Sequence, residues 1–267
     1  YKYWDLIDGE HKDNFSQTVE KVRFLVTDSI KRQLVSDVPV CTFLSGGLDS
    51  SIISSIANKH FKENGEILNT FSVNYVDNDI YFKSNKFQPN SDAFFIEEMT
   101  KYLGTKHHNI LVDTPELVSA LYDAVDARDL PGMADVDSSL LLFCKEIKKH
   151  VTVGLSGECA DEIFGGYPWF RDETIRKQEG FPWSQSTSFR NSFLKEEFRL
   201  NIDPVEYVLE KYEDTISHTS KIDGLTGDES RMKEMVKLNF NWFMQTLLDR
   251  KDRMSMYNAL EVRVPFC

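Results

Sequence analysis

Apolar residues at Phe15, Val19, Val22, Val26, Ile30 and Leu34 recur at intervals of three and four. That period predicts an amphipathic helix with one buried face. The helix should start at Asn14, with Gln17 as capping-box partner. Residues 1–12 before it read as an extended entry segment. The pattern then changes to short apolar runs at residues 38–44, 68–73, 107–112 and 151–155, which read as strands. Helices are predicted between them, over residues 50–60, 91–103 and 136–149. Gly104 is a C′ residue for the second of these, and Thr114-Pro115-Glu116 opens a further helix with a cap and an N1 proline. Residues 77–90 show no period and read as a loop. Strands alternating with helices predict an α/β fold, a parallel sheet with helices on both faces.

Beyond Gly166 the pattern changes again. No strand pattern is visible, aromatic residues are frequent, and residues 196–200, 204–212 and 229–248 read as helices. Met232, Met235, Val236, Trp242, Phe243 and Leu247 form a stripe best read as helix packing. The expected division is an α/β core over 14–166 and a mostly helical part over 167–267.

Bulk properties narrow the classes. The 267 residues suffice for one large or two modest domains with a sizeable core. A net charge of −12 disfavours a nucleic-acid binder. No apolar run is long enough to span a membrane. The cysteines Cys41, Cys144, Cys159 and Cys267 lack the close spacing of a zinc site or disulfide framework. Reduced thiols in a cytoplasmic protein are the simplest expectation.

The candidate chemistry lies at the ends of two predicted strands. The first is followed by Leu44-Ser45-Gly46-Gly47-Leu48-Asp49-Ser50-Ser51. Adjacent glycines let a backbone approach an anion, and the following helix presents unpaired N–H groups. Ser45, Ser50 and Ser51 add hydroxyls. Asp49 would repel phosphate unless a cation, usually Mg2+, lay between them. A plain glycine turn capped by Ser50 is the alternative. The octet lacks the Lys-Ser/Thr pair of a Walker A loop. It resembles the pyrophosphate loop of the N-type ATP pyrophosphatases, which cleave ATP between the α and β phosphates and adenylate a substrate oxygen. The fourth strand is followed by Ser156-Gly157-Glu158-Cys159-Ala160-Asp161-Glu162-Ile163-Phe164-Gly165-Gly166-Tyr167. Parallel strands present their C-terminal ends on one edge, so both loops should face one crevice. Asp49 and Asp161 could then share a Mg2+, or serve as caps and solvated charges.

This second loop, together with Asp249-Arg250, Asp252-Arg253-Met254-Ser255-Met256 and Leu260-Glu261-Val262-Arg263-Val264-Pro265-Phe266, is similar to the synthetase domain of the glutamine-hydrolysing asparagine synthetases. The resemblance covers nearly the whole chain and implies an adenine nucleotide alpha-hydrolase-like fold. It implies that Ser45, Gly46, Gly47, Ser50 and Ser51 hold pyrophosphate and that Asp49 and Asp161 hold Mg2+. Leu44, Val73, Ser156 and Gly157 would border the adenosine. Glu158 would be the acidic residue needed to form β-aspartyl-AMP, although an N-terminal helix carboxylate explains Glu158 and Glu162 equally well. The implied reaction converts ATP, aspartate and ammonia to asparagine, AMP and pyrophosphate.

The sequence departs from the family at Cys159, where glycine is usual; this side chain could narrow the pocket, react as an exposed thiol, or act as a small buried filler. His107 and His108 are expected to be structural. The family's glutaminase domain, with its N-terminal cysteine nucleophile, would precede Tyr1, and a catalytic lysine of the family lies beyond Val-Pro-Phe. The expectation is therefore a synthetase-domain fragment, weak or inactive alone, whose nitrogen comes from glutamine only through that partner domain. A homodimer stays open. Related amide-forming ligases of the β-lactam synthetase or peptide cyclase type, or a non-catalytic nucleotide-binding module, are the rival readings.

Overall fold

The computed structural model describes residues 6, 9–84, 90–219, 222 and 224–267. The expected extended segment at 1–12 and the expected loop at 77–90 therefore lie partly outside the described residues. The chain forms two compact units, one comprising 15–160 with 246–267 and the other 161–245 with 1–14.

The first unit is α/β. Its elements begin with α1 (Phe15–Gln33), β1 (Val40–Phe43), α2 (Leu48–Glu63), β2 (Asn69–Tyr75), α3 (Asn78–Tyr81), α4 (Ala93–Leu103) and β3 (Lys106–Val112). They continue with α5 (Thr114–Ser119), α6 (Leu121–Arg128), α7 (Asp135–Lys148) and β4 (Val153–Leu155). The sheet has the order β3-β2-β1-β4-β5, where β5 is Glu261–Arg263, and every pairing is parallel. Right-handed crossovers place α2 and α4, which lead outward from β1, on one face and α7, which leads back to β4, on the other. Packing agrees with this. Cys41 and Phe43 of β1 meet Phe143, Cys144 and Ile147 of α7, while the intervening Thr42 hydroxyl bonds Ser54 of α2 at 2.8 Å. All four residues of β1 are buried, as befits a central strand covered on both faces.

Several expectations are corrected. Glu-Val-Arg in β5 is too short and too charged to show a strand pattern, yet it pairs with β4 and draws 246–267 into the α/β unit. The helical part accordingly ends at Gln245 and starts at Asp161. The predicted buried face of α1 holds only near its C-terminus. Phe15 is 86% exposed, whereas Ile30 and Leu34 are buried. The C-terminal end is docked on the sheet side: Ser29 donates to Pro265 O at 2.6 Å, and Arg263 donates to Gln33 O and Val35 O. The N-cap of α5 is Asp113, not Thr114; Asp113 and Glu116 form a reciprocal capping box. The short α3 occupies part of the expected loop. Gly104 ends α4 at φ +65°, as its position predicted.

The second unit contains α8 (from Ala160 to Phe164), α9 (Pro168–Arg171), α10 (Glu173–Arg176), α11 (Thr187–Asn191), α12 (Glu196–Ile202), α13 (Pro204–Ser217) and α14 (Gly227–Leu238). A π-helical turn at Asn239–Phe243 leads into α15 (Met244–Met256), whose residues from Thr246 belong to the α/β unit. Aromatic packing makes this core. Trp169, Phe170 and Met235 form one cluster with Tyr167 and Phe243, and Phe181, Tyr212 and Leu238 form another with Trp242. Arg231 fixes the segment between α10 and α11 by donating to the carbonyls of Arg176, Gln178 and Gly180.

Candidate active site

The order β3-β2-β1-β4-β5 reverses direction between β1 and β4, and α/β ligands bind at that switch point. The pairing Thr42↔Leu155 sets the ends of these strands side by side. The glycine loop and the segment 156–160 are therefore neighbours within one unit.

The loop after β1 is shaped by its glycines. Gly46 lies at φ +78°, and a Cβ there would sit 2.6 Å from Phe95 Cβ and 2.8 Å from Ile96 N. Gly47 is the N-cap of α2 and makes no side-chain cap, so the first-turn N–H groups gain no partner from its side chain. Ser50 is buried; its hydroxyl lies 3.0 Å from that of Ser45, accepts from Ser45 N and donates to Gly47 O. Ser45 and Gly47 are exposed; Ser51 and Asp49 are half-buried on α2. Leu44 is buried and its N–H is bonded to Phe71 O at 2.8 Å, so it offers packing rather than a donor.

The second segment closes against the first. A Cβ at Gly157 would meet Ser50 N at 3.1 Å and Asp49 Cβ at 3.2 Å, so glycine is what lets these backbones touch. Ser156 is buried, and its N–H bonds Arg263 O at 2.9 Å, extending the β4–β5 pairing by one residue. Cys159 is buried at φ +77°, a left-handed backbone that explains why glycine suits the position. Burial removes the exposed-thiol reading. Burial also pushes the Cys144 thiol up to about 12 and raises Cys41, so neither is a nucleophile.

Val73 lines a cavity of about 640 Å³ together with Ser72, Asn74, Ile96, Thr100 and Asn109. That volume suits a small-molecule ligand. Ile96 belongs to this wall and also backs Gly46, so the cavity adjoins the glycine loop. His107 lies at its floor with ring nitrogens 3.0 Å from the hydroxyls of Thr70 and Ser72, and burial lowers its pKa. His108 stacks on Phe71 at 4.5 Å between centroids.

Glu158 shows what sequence reasoning missed. Its Oε1 accepts from Arg250 Nη2 at 2.7 Å, and its Oε2 lies 3.0 Å from Lys251 Nζ. Lys251 in turn sits over the Phe43 ring. Adjacent cations on a helix otherwise rich in charge gave no signal that this pair turns inward.

Asp161 belongs to the helical unit. Burial holds its carboxyl above the usual range, with Arg171 opposing. Gly166 N donates to Asp161 O, and any Cβ at Gly166 would strike the Asp161 carboxylate. Glu162 is buried and accepts from Tyr167 Oη at 2.6 Å. Among the described residues, no group of three His, Cys, Asp or Glu side chains is placed to hold a metal, and no helix is long and apolar enough to cross a membrane. A Mg2+ held through one or two carboxylates and substrate phosphates needs no such group.

The Asparagine synthase family model matches residues 21–267. Asparagine synthetase (glutamine-hydrolyzing) 3 of Bacillus subtilis is 53% identical over all of this chain and 43% of its own length. Asparagine synthetase (glutamine-hydrolyzing) 1 of the same organism is 30% identical over 93% of this chain and 42% of its own. The chain thus spans less than half the length of these relatives. Among solved structures, the U34-tRNA thiolase NcsA of Methanococcus maripaludis aligns with 91% of this chain and 78% of its own at 14% identity and a TM-score of 0.35, too distant to inform function.

Proposed function

Because the chain belongs to the asparagine synthase family, we propose that its α/β unit binds ATP and that the whole protein makes asparagine from aspartate through an adenylated carboxyl group. One observation carries the nucleotide part. The glycine loop presents a helix N-terminus without a side-chain cap, held against Gly157 and adjoining the cavity at Val73. Such a cradle suits the phosphates, with the adenosine lying toward Leu44, Val73, Ser156 and Gly157.

In this reading the aspartate side-chain carboxylate attacks the α-phosphorus and pyrophosphate leaves. The N–H groups of the glycine loop and the hydroxyls of Ser45 and Ser51 receive the charge that develops on pyrophosphate, while Ser50 shapes the loop through its bonds to Ser45 and Gly47. Asp49 is a proposed Mg2+ ligand, and Asp161 keeps its sequence-based assignment as another. When bound, the ion supplies neutralisation of phosphate charge. Glu158 serves formation of the β-aspartyl-AMP intermediate. Ammonia then displaces AMP to give asparagine, and a glutaminase domain in the full-length protein is the proposed source of that ammonia.

Calorimetry with Mg-ATP and with AMP tests this. Asp49→Asn is expected to weaken Mg-ATP binding at least about tenfold, the scale of one lost charge-assisted contact, and to leave AMP within about twofold. Equal affinity of parent and variant for Mg-ATP would remove the metal assignment. Absence of ATP binding in the parent would remove the proposal.

A further inference from the structure

The cluster around Glu158 holds more positive charge than it neutralises. One carboxylate meets two cations, and the side chains of Glu158, Arg250 and Lys251 are only 16%, 12% and 11% exposed. A net positive charge is thus kept largely out of water, which is costly unless an anion matches it. Asp249, on the same helix, is already engaged with Arg128 and Arg253. The Phe43 ring beneath Lys251 tolerates an ammonium without neutralising it.

Hydrogen bonding is incomplete at the same place. Arg250 Nη2 donates to Glu158, and among the described residues Nη1 meets the weak acceptor Met133 Sδ at 3.7 Å. Among the described residues the buried Nε has no acceptor, whereas Glu158 Oε2 is already met by Lys251 Nζ at 3.0 Å. Nε and Nη2 form one edge of the guanidinium, the edge that takes both oxygens of a carboxylate side-on. Here half of that edge is in use.

We propose that Arg250 and Lys251 form a seat for a carboxylate of the acid substrate, and that Glu158 occupies it as an internal counter-ion until the substrate arrives. The proposal rests on the amidation reading above. The incoming carboxylate completes the Arg250 edge, brings the cluster to charge balance and competes directly with Glu158. Phosphate oxygens of the nucleotide share the same anion chemistry, so the test separates the two sources.

The test measures aspartate-dependent ATP–pyrophosphate exchange in the full-length protein, with aspartate and Mg-ATP binding followed separately by calorimetry. Arg250→Lys keeps the charge and loses the edge; it is expected to raise the KM for aspartate at least about tenfold, with Mg-ATP affinity within about twofold. Lys251→Met leaves a balanced Arg250–Glu158 pair, so it should fold; a smaller rise of about threefold to tenfold is expected. Glu158→Gln removes the competitor and should lower the aspartate KM while kcat falls, a split that a merely structural contact would not give. Unchanged aspartate KM in both cation variants would overturn the proposal. So would parallel loss of Mg-ATP affinity, which would mark a phosphate seat. If the parent binds Mg-ATP but exchanges nothing with aspartate, the amidation reading fails first. Calorimetry then still decides the seat, because aspartate bound by the parent and lost in Arg250→Lys supports it, and no aspartate binding overturns it.

Discussion

The loops after β1 and β4 lie side by side, yet they are held by opposite means. Residues 45–51 are held by neutral hydroxyl and backbone bonds among themselves, as between Ser45, Gly47 and Ser50. Residues 156–160 are held from far away: Ser156 by Arg263, and Glu158 by Arg250 and Lys251. The first loop is exposed at Ser45 and Gly47 and offers backbone donors; the second buries Ser156 and Cys159 and concentrates charge. A cradle for phosphate can be made within one short segment. Holding a carboxylate in a partly buried place requires cations that only another element can supply.

The sharpest way to break this comparison is to add one methyl group to each loop. Gly46→Ala places a Cβ at a left-handed backbone position, 2.8 Å from a backbone nitrogen, and is expected to cost about 2–5 kcal/mol from strain and overpacking together. Gly157→Ala meets contacts of 3.1 and 3.2 Å without a positive φ, so it should cost less, about 1–3 kcal/mol, while still weakening nucleotide binding. Urea unfolding of both variants gives the order. A Gly46→Ala protein as stable as Gly157→Ala would mean that the first loop is not held rigid against α4.

A smaller effect of opposite sign is expected at Cys159. Its φ of +77° costs a residue with a Cβ about 1–2 kcal/mol, against about 1 kcal/mol for the buried side chain that glycine would lose. Cys159→Gly should therefore be neutral to more stable by about 1 kcal/mol, whereas Cys159→Ala keeps the strain and loses the sulfur. Thermal melting should rank glycine above alanine. The reverse order would show that packing, not backbone strain, governs this loop.

Asp161 gives the smallest and most condition-dependent effect. Its carboxyl is raised by burial, so the folded state holds the proton more tightly than the unfolded chain does. That contribution is favourable at low pH and is lost as pH rises through the folded pKa. Asp161→Asn should therefore gain stability relative to the parent as pH rises from acid toward neutral, while losing Mg-ATP affinity if Asp161 holds the ion. A stability difference independent of pH would show that burial does not govern the Asp161 carboxyl.

The same contrast explains what could be read in advance. The strand runs of the α/β part, the glycine loop and the Gly104 stop were visible because each is a pattern within a few residues. The Asp113 cap was missed by one position, because Asp and Thr both cap well and only the capping box with Glu116 decides between them. The buried length of α1 was overestimated, because periodicity says which face is apolar but not how far a partner covers it. β5 escaped notice because three residues carry no period, and pairing with β4 alone makes them a strand.

Sequence by itself determined the local backbone of the α/β part: where its longer strands and helices run, where Gly104 must take a positive φ, and where the hydroxyls and N–H groups of the glycine loop collect. These follow from interactions closed within one or two turns of chain. Tertiary structure alone decided that residues 246–267 return to the sheet and that Arg250, with Lys251 beside it, meets Glu158 across 92 positions of sequence. An ion pair leaves no periodic trace, because its partners are chosen by which elements pack together. Its strength is set by the burial that this packing creates.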